Sequence, residues 1–188
     1  MRTCDRRSFL RASAGGVAAA VAGASALAGP AAAKEPARGT IIDAHTHFYD
    51  PTRPGGVPWP PPTDKLLYRP VLPEHYRRLT AGQGVRGTVV VEASPRVEDN
   101  QWVLDLAAKD PIIVGFVGRL APGTDDYRAN LRRFARNRLF RGLRLGAAEV
   151  AEGLGRQRFL ADVRLLAEHD LALDVVGGPA MLADVARL

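Results

Sequence analysis

Hydrophobic positions fall into short apolar runs separated by stretches with helical spacing. The run Ile41-Ile42-Asp43-Ala44-His45-Thr46-His47-Phe48 predicts a buried strand, and residues 88–93, 112–117, 142–145 and 171–176 predict four more. Between them, Val103, Leu106 and Ala107 share one face of a helix over 98–109. Tyr127, Leu131, Phe134 and Ala135 mark a second helix, with Thr124 placed to cap it. Phe159, Leu160, Val163, Leu166 and Ala167 mark a third. Shorter helices are expected over 73–82 and from Pro179, each opening on a proline. Strands that alternate with helices predict an α/β fold, a parallel sheet with right-handed crossovers. Residues 50–73 break the rhythm. They are crowded with prolines, which lack an N–H and lock φ, so they can be neither helix nor central strand. This long loop leaves from the histidine end of the first strand and is expected to cover that end. Trp59 and Tyr68 then either line a pocket for a ring-shaped organic substrate or staple the loop down.

The start of the chain has a different character. Arg6-Arg7-Ser8-Phe9-Leu10 is a twin-arginine pattern, followed by an apolar, alanine-rich run over 12–28 and small residues Ala31-Ala32-Ala33. Charged start, apolar middle and a small-residue end form an export signal, expected to be removed after Ala33. The run is too short and too poor in Leu and Ile for a stable membrane anchor. Residues 1–33 therefore read as a twin-arginine export signal, 34–39 as a polar linker, and 40–188 as the folded portion. The location this implies is periplasmic or secreted. The single cysteine, Cys4, lies inside the signal, so the mature portion has no disulfide or thiolate chemistry. The net charge of +6 owes four arginines and one aspartate to residues 1–33, which leaves 22 basic and 19 acidic residues beyond it. Arg132, Arg133, Arg136 and Arg138 cluster, but without the aromatic platforms of a nucleic-acid surface they read as a solvated helix face. The expected partner is a small-molecule substrate, not nucleic acid. The oligomeric state is left open.

The first strand carries the candidate chemistry. Side chains two apart on a strand share a face, so Ile41, Asp43, His45 and His47 are expected to point one way, and Ile42, Ala44 and Thr46 the other. Two imidazoles at one strand end can both reach a divalent ion, or can stand there as an exposed pair with no metal. Asp43, one step deeper, is placed to hold a histidine ring and fix its tautomer. His75 falls in a predicted helix and His169 at a helix C-terminus, where a cation suits the dipole.

Asp43-x-His45-x-His47-Phe48 resembles the first strand of the amidohydrolase superfamily, in particular its lactonase-like branch. The resemblance continues through Gly87-Thr88-Val89-Val90-Val91-Glu92-Ala93-Ser94, Gly115-Phe116-Val117-Gly118, Phe140-Arg141-Gly142-Leu143-Arg144 and Leu171-Ala172-Leu173-Asp174, and covers 40–188. It implies about five β/α units, the N-terminal part of a TIM-type (β/α)₈ barrel. A full barrel takes about 250 residues, whereas 155 follow residue 33, so a truncated barrel is expected. A five-stranded domain of flavodoxin type is the alternative by length. Barrel sites lie at the C-terminal strand ends. The resemblance thus places His45 and His47 as metal ligands, Glu92 and Asp174 as acid or base, and Arg144 with Trp59 as substrate-binding residues. Arg119 is expected to be structural, and Arg144 and Asp174 have pairing with each other as their bland alternative. The cofactor implied is one divalent ion, zinc by ligand type, with a metal-free site as the alternative. No lysine follows the fourth strand to form a bridging carbamate, which argues against a two-metal site. The chain departs from the lactonase pattern at Leu145, where relatives often carry His. The activity implied is hydrolysis of a lactone, cyclic ester or amide. The alternatives are a decarboxylase or hydratase of the same fold, or a degenerate barrel fragment without catalysis.

Overall fold

The computed structural model describes residues 40–188; the expected export signal, the linker over 34–39 and Cys4 lie outside the described residues. Five strands are present: β1 Ile41–Thr46, β2 Val85–Val91, β3 Ile113–Gly118, β4 Phe140–Gly146 and β5 Ala172–Val176. The helices between and after them are α1 Pro73–Leu79, α2 Val97–Lys109, α3 Tyr127–Phe134, α4 Ala147–Gly153, α5 Gln157–Glu168 and α6 Leu182–Val185, the last preceded by a 3₁₀ turn Pro179–Met181. The sheet is parallel throughout, in the order β1-β2-β3-β4-β5. A flavodoxin-type domain would place its first strand inside and its second at an edge. Strictly sequential order excludes that alternative and is the order of consecutive units in a TIM-type barrel.

The main core lies between the sheet and its helices. Val90, Ile113, Phe116, Phe140 and Leu143 meet Val103 and Leu104 of α2, Tyr127, Leu131 and Phe134 of α3, and Leu166 of α5. Leu145 faces a smaller cluster with Val150 and Phe159. The position that departs from the lactonase pattern is therefore a buried packing position. With Leu143 and Leu145 turned to the helices, strand alternation turns Gly142, Arg144 and Gly146 to the opposite face. That second face is concave. Strands stand about 4.8 Å apart, so β1 and β4 in a flat sheet would be about 14 Å apart, yet Arg144 on β4 reaches His45 on β1 at 3.2 Å.

Several expectations are corrected. The first strand is not buried: among the described residues it is an edge strand paired with β2 alone, and Ile41 and Ile42 are exposed. Thr124 does not cap α3. Its hydroxyl bonds the Ala121 carbonyl within the preceding turn, and Asp126 stands at the cap. Helix α4 was not expected at all, since Ala147–Gly153 is too short to show an apolar period. Arg132, Arg133, Arg136 and Arg138 are exposed, and Arg133 lies over the Phe134 ring. No helix among the described residues is long and apolar enough to cross a membrane.

One buried polar side chain ties the helical layer to the end of β3. Asn100 on α2 accepts from the Arg119 N–H at 2.8 Å and donates to the Arg119 carbonyl at 2.8 Å and to the Val97 carbonyl at 3.1 Å. Gly118 leaves the room for it, because a Cβ there would meet Asn100 Oδ1 at 2.4 Å. Asn100→Ala would strand the Arg119 N–H and carbonyl. We expect a loss of about 2 kcal/mol, measured as a lower urea midpoint at unchanged slope.

Candidate active site

The site is assembled at the C-terminal end of the sheet, on its concave face. Strand β1 ends at Thr46, and its pairing with β2 slips between Asp43 and Thr46. The slip matters because it changes which side chains share a face. Asp43 accepts from the Tyr76 hydroxyl of α1 at 2.9 Å, and Thr46 Oγ1 lies 2.8 Å from Thr88 Oγ1. Strict alternation would part Asp43 from Thr46; the irregularity brings both to the helix-facing layer. Asp43 accordingly holds no imidazole. Its other oxygen accepts the backbone N–H of His45 at 3.0 Å, which props the bulge and swings His45 over to the concave side.

His45 and His47 do come together, with ring centroids 5.0 Å apart and near-perpendicular planes at 74°. Their lone pairs differ in what they face. Nδ1 of His47 lies 3.0 Å from the Val91 carbonyl. A carbonyl only accepts, so Nδ1 carries the proton and the lone pair lies on Nε2. Burial holds the His47 pKa below its ordinary value; the Val91 hydrogen bond opposes this, and His45 and Arg144 add to it. Nε2 of His45 faces Nη2 of Arg144 at 3.2 Å. Arg144 in turn gives its Nε to Asp174 Oδ2 at 2.5 Å, the in-register neighbour on β5. The pairing of these two residues, expected as their bland alternative, is thus present, and it engages the carboxylate proposed as an acid or base.

Glu92 follows β2 and bounds a cleft of about 390 Å³ together with His47, Trp59 and Ser94. One carboxylate oxygen accepts the Ser94 N–H at 2.9 Å. Burial raises the Glu92 pKa above the usual carboxylate range; Arg119, the Ser94 N–H and Arg144 pull it down but do not cancel the effect. A raised folded pKa means stability that is full below the unfolded value of about 4.3 and is lost as pH rises through the folded value. Glu92→Gln removes that dependence. Thermal melts from pH 4 to pH 7 should show the variant gaining on the wild type as pH increases.

The proline loop lies over this end as expected. Tyr49 and Val71 close its base by two backbone hydrogen bonds of 3.0 and 2.9 Å. Arg53 pairs with Asp99 at 2.5 Å and stacks on Trp102, and Arg96 holds the Gly55 and Gly56 carbonyls. Trp59 lies edge-on to His47 at 5.8 Å and to Tyr49 at 5.3 Å, while remaining 41% exposed. It therefore lines the site and helps fasten the loop. A second cleft of about 530 Å³ runs past His45, His47 and Trp59, where Leu67 and Arg69, not Tyr68, form the wall.

Two contributors gave no signal in the sequence. Glu149 of α4 caps its own helix through the Gly146 N–H at 2.7 Å and pairs with Arg119 at 2.5 Å. Arg119 then holds the Arg144 carbonyl at 2.8 Å, so its structural role is as expected. Tyr76 is the second, and it fixes Asp43. Of the two remaining histidines, His75 accepts the Leu72 N–H at the start of α1 and lines the second cleft, while His169 stands apart at the C-cap of α5.

A divalent ion on His45 and His47 would need both Nε2 lone pairs and at least one further ligand. The His45 pair is turned to the Arg144 guanidinium, and no group of three or more His, Cys, Asp or Glu among the described residues is placed to hold a metal. The described arrangement does not fit a metal while Arg144 faces His45.

Comparison with known proteins places this geometry. The family model described as Amidohydrolase matches residues 42–188. An L-fucono-1,5-lactonase from Burkholderia ambifaria is 32% identical over 143 residues, covering 75% of this chain and 49% of the relative. The chain spans about half the length of that curated relative. Among solved structures, an amidohydrolase from Burkholderia multivorans with bound zinc superposes with a TM-score of 0.66 at 24% identity, over 77% of this chain and 51% of that one. Amidohydrolase 2 from Bifidobacterium longum subsp. infantis gives 0.57 at 22%, over 78% and 55%. A probable 2-pyrone-4,6-dicarboxylic acid hydrolase from Acinetobacter baumannii with citric acid bound gives 0.55 at 15%, over 78% and 52%. At these identities the structural likeness shows the fold.

Proposed function

The chain belongs to the amidohydrolase family, and on that premise we propose that it carries part of a hydrolase site that opens a lactone. The observation that carries the reading is the convergence of Arg144, His45 and His47 on the concave face, with Glu92 in the cleft beside His47. In this reading water attacks the lactone carbonyl. Nε2 of His47 takes the water's proton, which suits an imidazole kept neutral by burial. Arg144 donates to the oxygen that becomes negative. Glu92 keeps its proton to higher pH than an ordinary glutamate and gives it to the departing ring oxygen. Asp174 acts on Arg144 rather than on substrate, and Trp59 closes one wall. Zinc is bound in a similar structure; in this chain both proton transfers and the oxyanion contact run through its own side chains.

The test is acid release from L-fucono-1,5-lactone, followed with a pH indicator. His47→Ala and Glu92→Gln should each lower kcat/KM by about 10²-fold. Release of CO₂ from an aromatic acid instead, with the lactone untouched, would favour the decarboxylase alternative. A folded protein that does neither would favour a non-catalytic barrel portion.

We also propose export by the twin-arginine route, on the strength of Arg6-Arg7 and Ala31-x-Ala33. Arg6→Lys with Arg7→Lys should trap the protein in the cytoplasm. N-terminal sequencing of periplasmic wild type should begin after Ala33; a periplasmic protein that retains Arg2 would remove the proposal.

A further inference from the structure

We propose that Arg144 is a metal-excluding residue: its guanidinium takes the place a divalent ion would hold on His45 and fits the site to an anionic oxygen instead. A guanidinium only donates, so the 3.2 Å contact with His45 Nε2 uses the same lone pair that a metal would take. Arg144 is not draped there loosely. Its Nε is held by Asp174, its carbonyl by Arg119, and only 9% of the residue is exposed. Swinging the guanidinium away would break the Nε contact and leave Asp174 without its partner.

Charge points the same way. An ion on His45 Nε2, bonded at about 2.0–2.1 Å, would sit beside a group that never deprotonates in proteins. The nearby carboxylates offer little compensation. Asp174 is spent on Arg144, and burial pushes Glu92 toward its neutral form. For an anion the balance reverses. Two of the five guanidinium N–H groups serve Asp174 and His45, which leaves donors for a carboxylate, or for the oxyanion that forms when a carbonyl is attacked. Arg144 thus decides whether this face of the sheet takes a cation or an anion. The inference does not depend on which bond the protein cleaves.

The experiment contains no lactone. Zinc affinity is measured by competition with a chromogenic chelator for the wild type, Arg144→Met, and Arg144→Met combined with His45→Ala. Malonate binding in metal-free buffer is followed by tryptophan fluorescence, and near-UV circular dichroism verifies folding. Arg144→Met should bind zinc at least about tenfold tighter, since a neighbouring like charge is gone. Adding His45→Ala should cancel the gain, and malonate affinity should fall about tenfold in Arg144→Met. Arg144→Gln replaces Arg144→Met if the latter fails to fold. Long-range ¹H–¹⁵N spectra of the wild type need no variant: the His45 Nε2 resonance should stay in place when stoichiometric zinc is added. A wild type that binds zinc as tightly as the variant, a gain that survives His45→Ala, or a shift of His45 Nε2 on adding zinc would each overturn the proposal.

Discussion

Arg144→Met should lower kcat/KM for lactone opening by about 10³-fold while the fold persists. The expectation follows from where the guanidinium stands. It is a full positive charge in contact with the imidazole pair, and its orientation is fixed before substrate arrives by Asp174 and by the strand register beneath it. Donors fixed in advance against developing negative charge are worth about 10²–10³ in rate each, and Arg144 can present more than one. Methionine keeps the apolar stem that packs in the sheet and removes every donor. The loss should fall mainly on kcat, because the charge that Arg144 meets exists in the transition state and not in the neutral lactone. Asp174→Asn should act in the same direction but more weakly, by loosening Arg144 without removing it. If Arg144→Met raises KM alone and leaves kcat intact, Arg144 binds a substrate carboxylate and does not stabilise the oxyanion.

How much of the molecule was legible in the chain differs by element. The strand–helix alternation was legible because short β-branched runs such as Val89-Val90-Val91 are bounded by turns and alternate with longer stretches of helical spacing. Sequential strand order was not derivable from the pattern. It came from the histidine motif and the order of the family-like strands, and the pairing agrees with it. His45 and His47 were correctly brought to one place, but by a parity argument that fails two residues earlier, at Asp43. Nothing in Asp43-Ala44-His45 signals a slipped register; the slip depends on Tyr76 and Thr88, which are distant in sequence. The contact between Arg144 and His45 was equally hidden, because it exists only once the sheet curls. Glu149 was missed because its helix is too short to be periodic, although its caging of Arg119 follows at once when that helix is drawn.

Gly142→Ala should be the most damaging glycine-to-alanine change among the described residues. A Cβ at Gly142 would lie 2.3 Å from the Ala172 carbonyl oxygen and 3.0 Å from its carbon. Both are backbone atoms of β5, so no side chain can turn aside to admit it. The strands must part at the point where Gly142 pairs with Ala172, two residues below the pairing of Arg144 with Asp174. Overpacking commonly costs 1–3 kcal/mol; with backbone as the obstacle, about 3 kcal/mol or more is expected. The consequence travels further than stability, because among the described residues β5 sits at the sheet edge and pairs with β4 alone. A β5 that shifts carries Asp174 away from Arg144, and Arg144 then loses its hold beside His45. Hydrogen exchange should show β5 amides losing protection while those of β2 and β3 keep theirs. The Gly118→Ala change supplies the contrast. There the obstacles are the Asn100 and Phe140 side chains, which can give way in part, so the cost should be smaller and β5 should stay paired. Equal loss of protection across all strands in Gly142→Ala would mean that β5 unfolds only with the whole sheet, and the site would then depend on global stability and not on this one contact.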